Sequence, residues 1–394
     1  MASGCLREFN RGIEMDAAKI PLSLYVHVPW CVQKCPYCDF NSHQAKSSIN
    51  EDRYVDQLIK DLADQAEYIH DRSITSIFFG GGTPSLFSDK SIGRFLEQAE
   101  KQLDFLSDIE ITLEANPGTA DANYFLGYRS AGVNRLSIGI QSLNDEKLKA
   151  LGRIHSAKDA IAAVEMARKA GFDNMNLDMM HALPNQSVSE ALDDLSKLIE
   201  LGPEHISWYQ LTLEPNTLFY QNPPALPSDD VIAEMMDAGQ ALLTASGYKQ
   251  YEVSAYAKND RCAKHNLNYW EFGDYLAVGA GSHAKLTDSV SNIHRITRMR
   301  SPKDYLATDN TLSNDRVLAQ EELPIEFMLN ACRLNKGVSA SVFEERTGLS
   351  LVDIEPMLTE AKTRGLLVEN DAVIQPTELG HRFLNDLLAI FEPD

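Results

Sequence analysis

One rhythm runs from residue 21 to residue 213 of the 394-residue chain: a short apolar run, a loop rich in Gly, Pro or Asn, then an amphipathic stretch. The apolar runs fall at residues 24–28, 77–79, 109–113, 135–138, 175–179 and 206–211. They are short, β-branched or aromatic, and mostly continuous, as strands buried on both faces of a parallel sheet read. Residues 53–68, 91–103, 120–131, 157–170 and 187–201 instead place apolar side chains at helical spacing, as with Ile92, Phe95, Leu96 and Ala99. Gly132 and Gly171 follow two of these stretches, where a glycine stop is expected. Six such units predict an α/β fold, a partial (βα)6 TIM-like barrel rather than a closed barrel of eight strands.

The rhythm breaks after residue 214, at Pro215, Pro223, Pro224 and Pro227. A helix is expected over 228–246, with Ser228 as its N-cap. Residues 248–285, rich in aromatics, Gly and His, read as short strands and loops covering an open edge or mouth of the barrel. From residue 318 helical patterns at 323–333, 340–347 and 351–364 precede two short strands, 365–368 and 372–374, and a last helix, 377–391. That order predicts a C-terminal α+β winged-helix-like domain. The expected division is an N-terminal extension over 1–20, taken as disordered, a barrel over 21–214, a covering segment over 215–317 and the C-terminal domain over 318–394.

The net charge of −21 argues against a nucleic-acid partner, whose phosphates need Lys and Arg. The C-terminal segment, with fourteen Asp and Glu against six Lys and Arg, is no exception. No apolar run reaches the roughly eighteen residues of a transmembrane helix, and the first twenty residues lack the apolar centre of a signal peptide. A cytoplasmic protein is expected.

Half of the six cysteines sit in one loop directly after the first apolar run: Cys31, Cys35 and Cys38, spaced C-x-x-x-C-x-x-C. In a chain without a disulfide framework such a cluster reads as metal-binding. Zinc would want a fourth ligand, for which His27 or His43 is near in sequence. A 4Fe-4S cluster also wants four thiolates, and three leave one iron open. The other apolar runs end in Gly80-Gly81-Gly82-Thr83-Pro84-Ser85, Glu114-Ala115-Asn116-Pro117-Gly118, Gly139-Ile140-Gln141-Ser142 and Asp178, with Trp208, Tyr209 and Gln210 on the sixth. In a βα barrel these strand ends gather at one face, where active sites form.

The cysteine spacing, with Tyr37 in the aromatic slot, resembles the radical S-adenosylmethionine (SAM) proteins. The strings Tyr25-Val26-His27-Val28-Pro29-Trp30-Cys31, Gly80 to Ser85, Glu114 to Gly118 and Asn134 to Ser142 resemble the group containing HemN, the oxygen-independent coproporphyrinogen III dehydrogenase. The resemblance covers nearly the whole chain. It implies a 4Fe-4S cluster on Cys31, Cys35 and Cys38, and SAM contacts at Tyr25, Tyr37, Gly81, Gly82, Thr83, Glu114, Gln141, Arg153 and Asp178.

Phe40 stands where the dehydrogenase has a fourth cysteine, and only about twenty residues precede the first strand where that enzyme has a longer segment. The string His265-Asn266-Leu267-Asn268-Tyr269-Trp270 resembles instead the H-N-x-x-Y-W hallmark of the HemW haem chaperone branch. That branch implies haem binding and transfer to an acceptor protein, with His265 as the candidate axial ligand and Cys262, His283 and His294 as its rivals. An electron donor to the cluster is a further implied partner. The alternative reading is the dehydrogenase activity itself. A haem carrier could visit a membrane peripherally, but no basic amphipathic helix marks such contact.

Overall fold

The computed structural model describes residues 15–46, 48–119 and 122–393. The expected disorder of residues 1–14 lies outside the described residues. Residues 15–20, counted with that extension on sequence, are packed: Met15 is buried, and Asp16 caps a short turn at Ala17–Lys19.

The six expected strands form, the first five longer than their apolar runs and the sixth shifted by one residue: β1 Leu22–Val28, β2 Ile74–Gly81, β3 Phe105–Ala115, β4 Arg135–Gln141, β5 Met175–His181 and β6 His205–Gln210. They lie side by side in chain order, every pair parallel. Helices α1 Glu51–Ala63, α2 Asp89–Glu100, α3 Ala122–Ser130, α4 Ala157–Lys169 and α5 Val188–Glu200 return the chain between them. Their starts are locally encoded. Ser156 with Asp159, and Ser187 with Glu190, make capping boxes that satisfy free N–H groups of α4 and α5. Leu24, Val26, Ile77, Phe79, Leu113, Ile138 and Leu177 fill one continuous core with the inner faces of these helices.

The segment after β6 extends this sheet at both edges. After helix α6 (Asp229–Ala245), β7 (Lys249–Glu252) and β8 (Ala255–Ala257) add antiparallel strands beside β6. A short helix, α7 (Lys264–Trp270), leads into β9 (Asp274–Val278), which pairs parallel with β1. β10 (His283–Thr287), β11 (Ile293–Arg298) and β12 (Leu312–Val317) follow as an antiparallel ribbon. The result is an open sheet of twelve strands, with a seventh parallel strand that the sixfold rhythm did not contain.

The C-terminal part packs α8 (Leu323–Ala331), α9 (Ala340–Thr347) and α10 (Glu355–Thr363) on a second core, to which Met15 and Phe272 also belong. The expected hairpin is rearranged. Val373–Ile374 pairs with Val338–Ser339, ahead of α9, while Leu367 makes only a single bridge, to Pro376. The expected last helix is two, Glu378–Arg382 and Leu384–Ala389, broken at Phe383. Trp270 of α7 packs against this second core, and the Arg333 guanidinium stacks 4.3 Å over its ring. Helix α7 therefore fastens the C-terminal part to the barrel.

Candidate functional site

Beyond β1 the chain enters the cysteine loop, closed at its base by a short parallel pairing of Trp30–Cys31 with His43–Gln44. Cys31, Cys35 and Cys38 line one cavity of about 220 Å³, all as free thiols. Burial pushes the Cys31 and Cys38 thiols up. Among the described residues no three His, Cys, Asp or Glu side chains gather closely enough to hold a single metal ion.

The glycine turn after β2 forms the next wall. Gly82 N and Thr83 N donate to Val28 O (2.8 Å) and Trp30 O (2.7 Å), tying the turn to the entrance of the cysteine loop. A Cβ on Gly81, whose φ is +108°, would lie 2.3 Å from the His27 ring, and one on Gly82 would lie 2.5 Å from Trp30 O. Neither position has room for a side chain.

Glu114, at the end of β3, accepts from Gly81 N at 3.2 Å. Burial, reinforced by the charge of Asp178, pushes its carboxyl up to about 8, so it holds a proton at neutral pH. Burial also raises Asp178, against the hydrogen bonds it receives from Asn176 (2.7 Å) and Ser137 (3.3 Å). Gln141, at the end of β4, takes a left-handed φ of +69°, a conformation that side-chain-bearing residues keep only when their surroundings hold them there. The hold is visible: Tyr209 Oη donates to Gln141 Oε1 at 2.8 Å. Arg153 donates through Nη2 to Gly139 O (2.8 Å) and places Nη1 3.7 Å from Cys35 Sγ, while its Nε is buried without a partner.

Three thiols, two buried carboxyl groups, of which Glu114 is protonated at neutral pH, and a guanidinium with a spare buried donor suit a zwitterionic ligand held beside an iron–sulfur cluster. Of the nine residues singled out on sequence as SAM contacts, eight line this cavity together with the three cysteines. Tyr25 does not; it lines a larger neighbour.

That neighbour, of about 620 Å³, shares Phe40, Gly81 and Glu114 with the smaller cavity. Tyr25, Phe78, Tyr269, Trp270 and Tyr275 give it aromatic walls, and His27, His283, Arg298 and Arg300 add nitrogen groups. Sequence reasoning reached Tyr269 and Trp270 through the motif, named His283 as a rival ligand and Tyr25, Gly81 and Glu114 as SAM contacts, but missed Phe78, Tyr275, Arg298 and Arg300. The one signal available was Arg298-Met299-Arg300, two basic residues in alternation at the end of a β-rich stretch.

His265 departs from its expected place, since it lines neither cavity. Its ring stacks on Phe78 at 4.3 Å, and its Nδ1 is engaged by Glu110 at 2.8 Å. Phe78 and Tyr269, both in contact with its ring, stand at the cavity wall in its stead. Of its rivals, Cys262 and His294 also line neither cavity, whereas His283 lines the larger one.

A parallel sheet with three thiols on the first loop and a glycine turn on the second defines a radical SAM protein, and the Radical SAM superfamily profile matches residues 25–198. The HemN C-terminal domain profile matches residues 318–383. Heme chaperone HemW of Haemophilus influenzae is 52% identical over 375 residues, covering 94% of this chain and 98% of its own length. Heme chaperone HemW of Escherichia coli is 48% identical over 371 residues, with coverages of 94% and 98%. The chain belongs to the HemW family. Among solved structures, the coproporphyrinogen III oxidase HemN of Escherichia coli superposes with a TM-score of 0.79, covering 95% of this chain and 91% of that one. At 23% identity that likeness shows the shared fold. Membership in the radical SAM superfamily implies a 4Fe-4S cluster and SAM. Among the described residues no helix is long and apolar enough to cross a membrane.

Proposed function

We propose that this chain is a cytoplasmic haem carrier that binds haem in the larger cavity and passes it to an acceptor protein. A 4Fe-4S cluster on Cys31, Cys35 and Cys38 and SAM in the smaller cavity accompany that role, with an electron donor as a further partner. The observation that carries the reading is the larger cavity itself. It falls within the roughly 300–1,000 Å³ of small-molecule sites, it is walled by aromatics, and it adjoins the thiol cavity across Gly81 and Glu114. The names of the HemW relatives point the same way.

When bound, the cluster would offer an open iron and a one-electron reductant. The chain's own groups do the rest. The Glu114 carboxyl holds a proton that it can release on meeting an ammonium group. Gly81 and Gly82 let the backbone approach the ligand, and Arg153 presents its spare Nε to a carboxylate. His283 is the histidine of the larger cavity with no hydrogen bond to its ring among the described residues, and burial lowers its pKa. It thus presents a neutral imidazole, the form that ligates iron. His27 lines the same cavity, but Tyr25 Oη and Asn41 O occupy both its nitrogens, at 2.8 and 3.0 Å.

The test is transfer. Haem-loaded, cluster-loaded chain is mixed anaerobically with an apo haem protein, and the Soret band is followed as it moves to the acceptor. Haem that stays on the chain indefinitely, or protoporphyrinogen formed from coproporphyrinogen with SAM and reductant, would overturn the carrier reading.

A further inference from the structure

The larger cavity is not uniformly apolar. Its two arginines come from a single place, the end of β11: Arg298 closes the strand and Arg300 follows two residues later. Both are set in position by contacts that leave guanidinium N–H donors without a partner among the described residues, although the charge of Arg298 is paired with Asp61. Arg298 is buried, and its Nε meets Asp61 Oδ1 at 2.7 Å. Asp61 is itself fixed by Tyr305 Oη at 2.7 Å and Gly279 N at 3.1 Å. Arg300 is pinned through its backbone: its carbonyl accepts from Asn41 Nδ2 at 2.9 Å and lies 3.3 Å from His43 Nε2, both in the cysteine loop. Its guanidinium has no ion pair or hydrogen bond among the described residues. Two carboxyl groups also line the cavity, Asp39 and Glu114, and neither forms an ion pair with either arginine.

In a chain of net charge −21, an anionic ligand is drawn only by cations placed locally. A guanidinium held at a cavity wall presents paired N–H donors that fit a carboxylate side-on. Haem has that dual character, a planar apolar ring with two carboxylate arms on one edge. We propose that Arg298 and Arg300 bind the two propionates of haem and thereby fix which edge of the ring faces the β11 end of the cavity, its plane lying among Tyr25, Phe78, Tyr269 and Tyr275. The inference rests on the haem-carrier reading and adds to it the part of the ligand that is read. Because Asn41 and His43 hold the Arg300 backbone, the arginine edge is joined directly to the cysteine loop, so that the propionates lie close to the cluster-bearing segment.

The test is a set of anaerobic titrations of the cluster-loaded full chain with haemin and with haem dimethyl ester, whose propionates carry no charge. Wild type is compared with Arg300→Met, an exposed site where the fold is not at stake, and with Arg298→Lys, which keeps a charge beside Asp61. Wild type should favour haemin over the ester by on the order of tenfold or more, the scale of a hydrogen bond to a charged group. Arg300→Met should lose about that factor for haemin and nothing for the ester, so that the preference collapses. Arg298→Lys should fall in the same direction. Equal affinity of wild type for haemin and ester, or an Arg300→Met variant that keeps the preference, overturns the inference while leaving the haem reading intact. A wild type that takes up neither compound overturns the haem reading itself. SAM carries a carboxylate of its own, so a variant that loses SAM rather than haemin would also overturn the assignment.

Discussion

Nδ1 of His265 lies 2.8 Å from Oε1 of Glu110, and both side chains are 6% exposed. Burial pushes the Glu110 carboxyl up, but the hydrogen bond from His265 and the charge of Arg135 more than offset this and hold it at about 2. Burial keeps His265 below its ordinary value. The ring is therefore neutral and donates its Nδ1 proton to an ionised carboxylate. Glu110 also accepts from the backbone N–H groups of Lys264 (3.1 Å) and His265 (3.3 Å) at the start of α7. The histidine of the motif anchors its helix, and four residues on, Tyr269 stands at the cavity wall. His265→Ala should cost about 2 kcal/mol of stability, the scale of a hydrogen bond to a charged group. Chemical denaturation checks this, and a double cycle with Glu110→Gln isolates the pair. At temperatures where the variant is folded, its haem affinity should stay within about threefold of wild type, well short of the tenfold that 1.4 kcal/mol represents.

His283 should matter where His265 does not. His283→Ala should shift the Soret band and weaken haem binding by about tenfold or more, at least the loss seen when only a partner of a metal ligand is removed. A spectrum unchanged in this variant and altered in His265→Ala would mean that Phe78 and Tyr269 open to let the motif histidine reach the iron.

Glu114 gives a pH dependence of stated sign. Its carboxyl sits at about 8 in the folded protein against 4.5 for an ordinary glutamate. The folded chain therefore binds a proton that the unfolded chain has lost, and the contribution is full below the unfolded value and disappears as pH rises through about 8. Without cluster or ligand, wild type should lose stability relative to Glu114→Gln between these values, by on the order of 1 kcal/mol per pH unit. Urea unfolding of both proteins at pH 5, 6.5 and 8 measures it. Parallel stability curves would show that Glu114 is ionised in the folded state.

Replacing any one of Cys31, Cys35 or Cys38 by Ala should remove the broad iron–sulfur absorbance. The three are partly exposed and contribute little to the core, so stability of the cluster-free chain should change by less than about 1 kcal/mol. Iron analysis and thermal melting of each variant, prepared anaerobically, separate the two effects.

The smaller cavity was legible because its parts are local. Each strand of the parallel rhythm ends in a loop, the loops gather at one face by topology, and Gly81, Glu114 and Gln141 stand at such ends, whereas Asp178, expected at a strand end, lies in the middle of β5. The larger cavity was not, because more than half of its lining lies between Tyr269 and Asn330, outside the rhythm, and its strands β10, β11 and β12 reach β1 only through β9. β9 itself could have been found: Tyr275-Leu276-Ala277-Val278 followed by Gly279-Ala280-Gly281 is one more apolar run with a glycine turn. The motif helix shows a different limit. The motif resemblance placed His265, Tyr269 and Trp270 together at an aromatic site, but only Phe78 and Glu110, distant in sequence, decide that the histidine lies behind the wall rather than in it.

The central claim is that the cavity beside the cysteine loop holds haem, and Ser313 tests it most directly. Ser313 lines that cavity from the exposed strand β12, and none of the three cysteines does. Ser313→Trp puts a bulky ring at the cavity wall, at a position away from the three cysteines. In anaerobic titration wild type should saturate at one haem per chain, and Ser313→Trp should lose haem binding while keeping its iron–sulfur absorbance. Undiminished uptake of haem by Ser313→Trp would contradict the account.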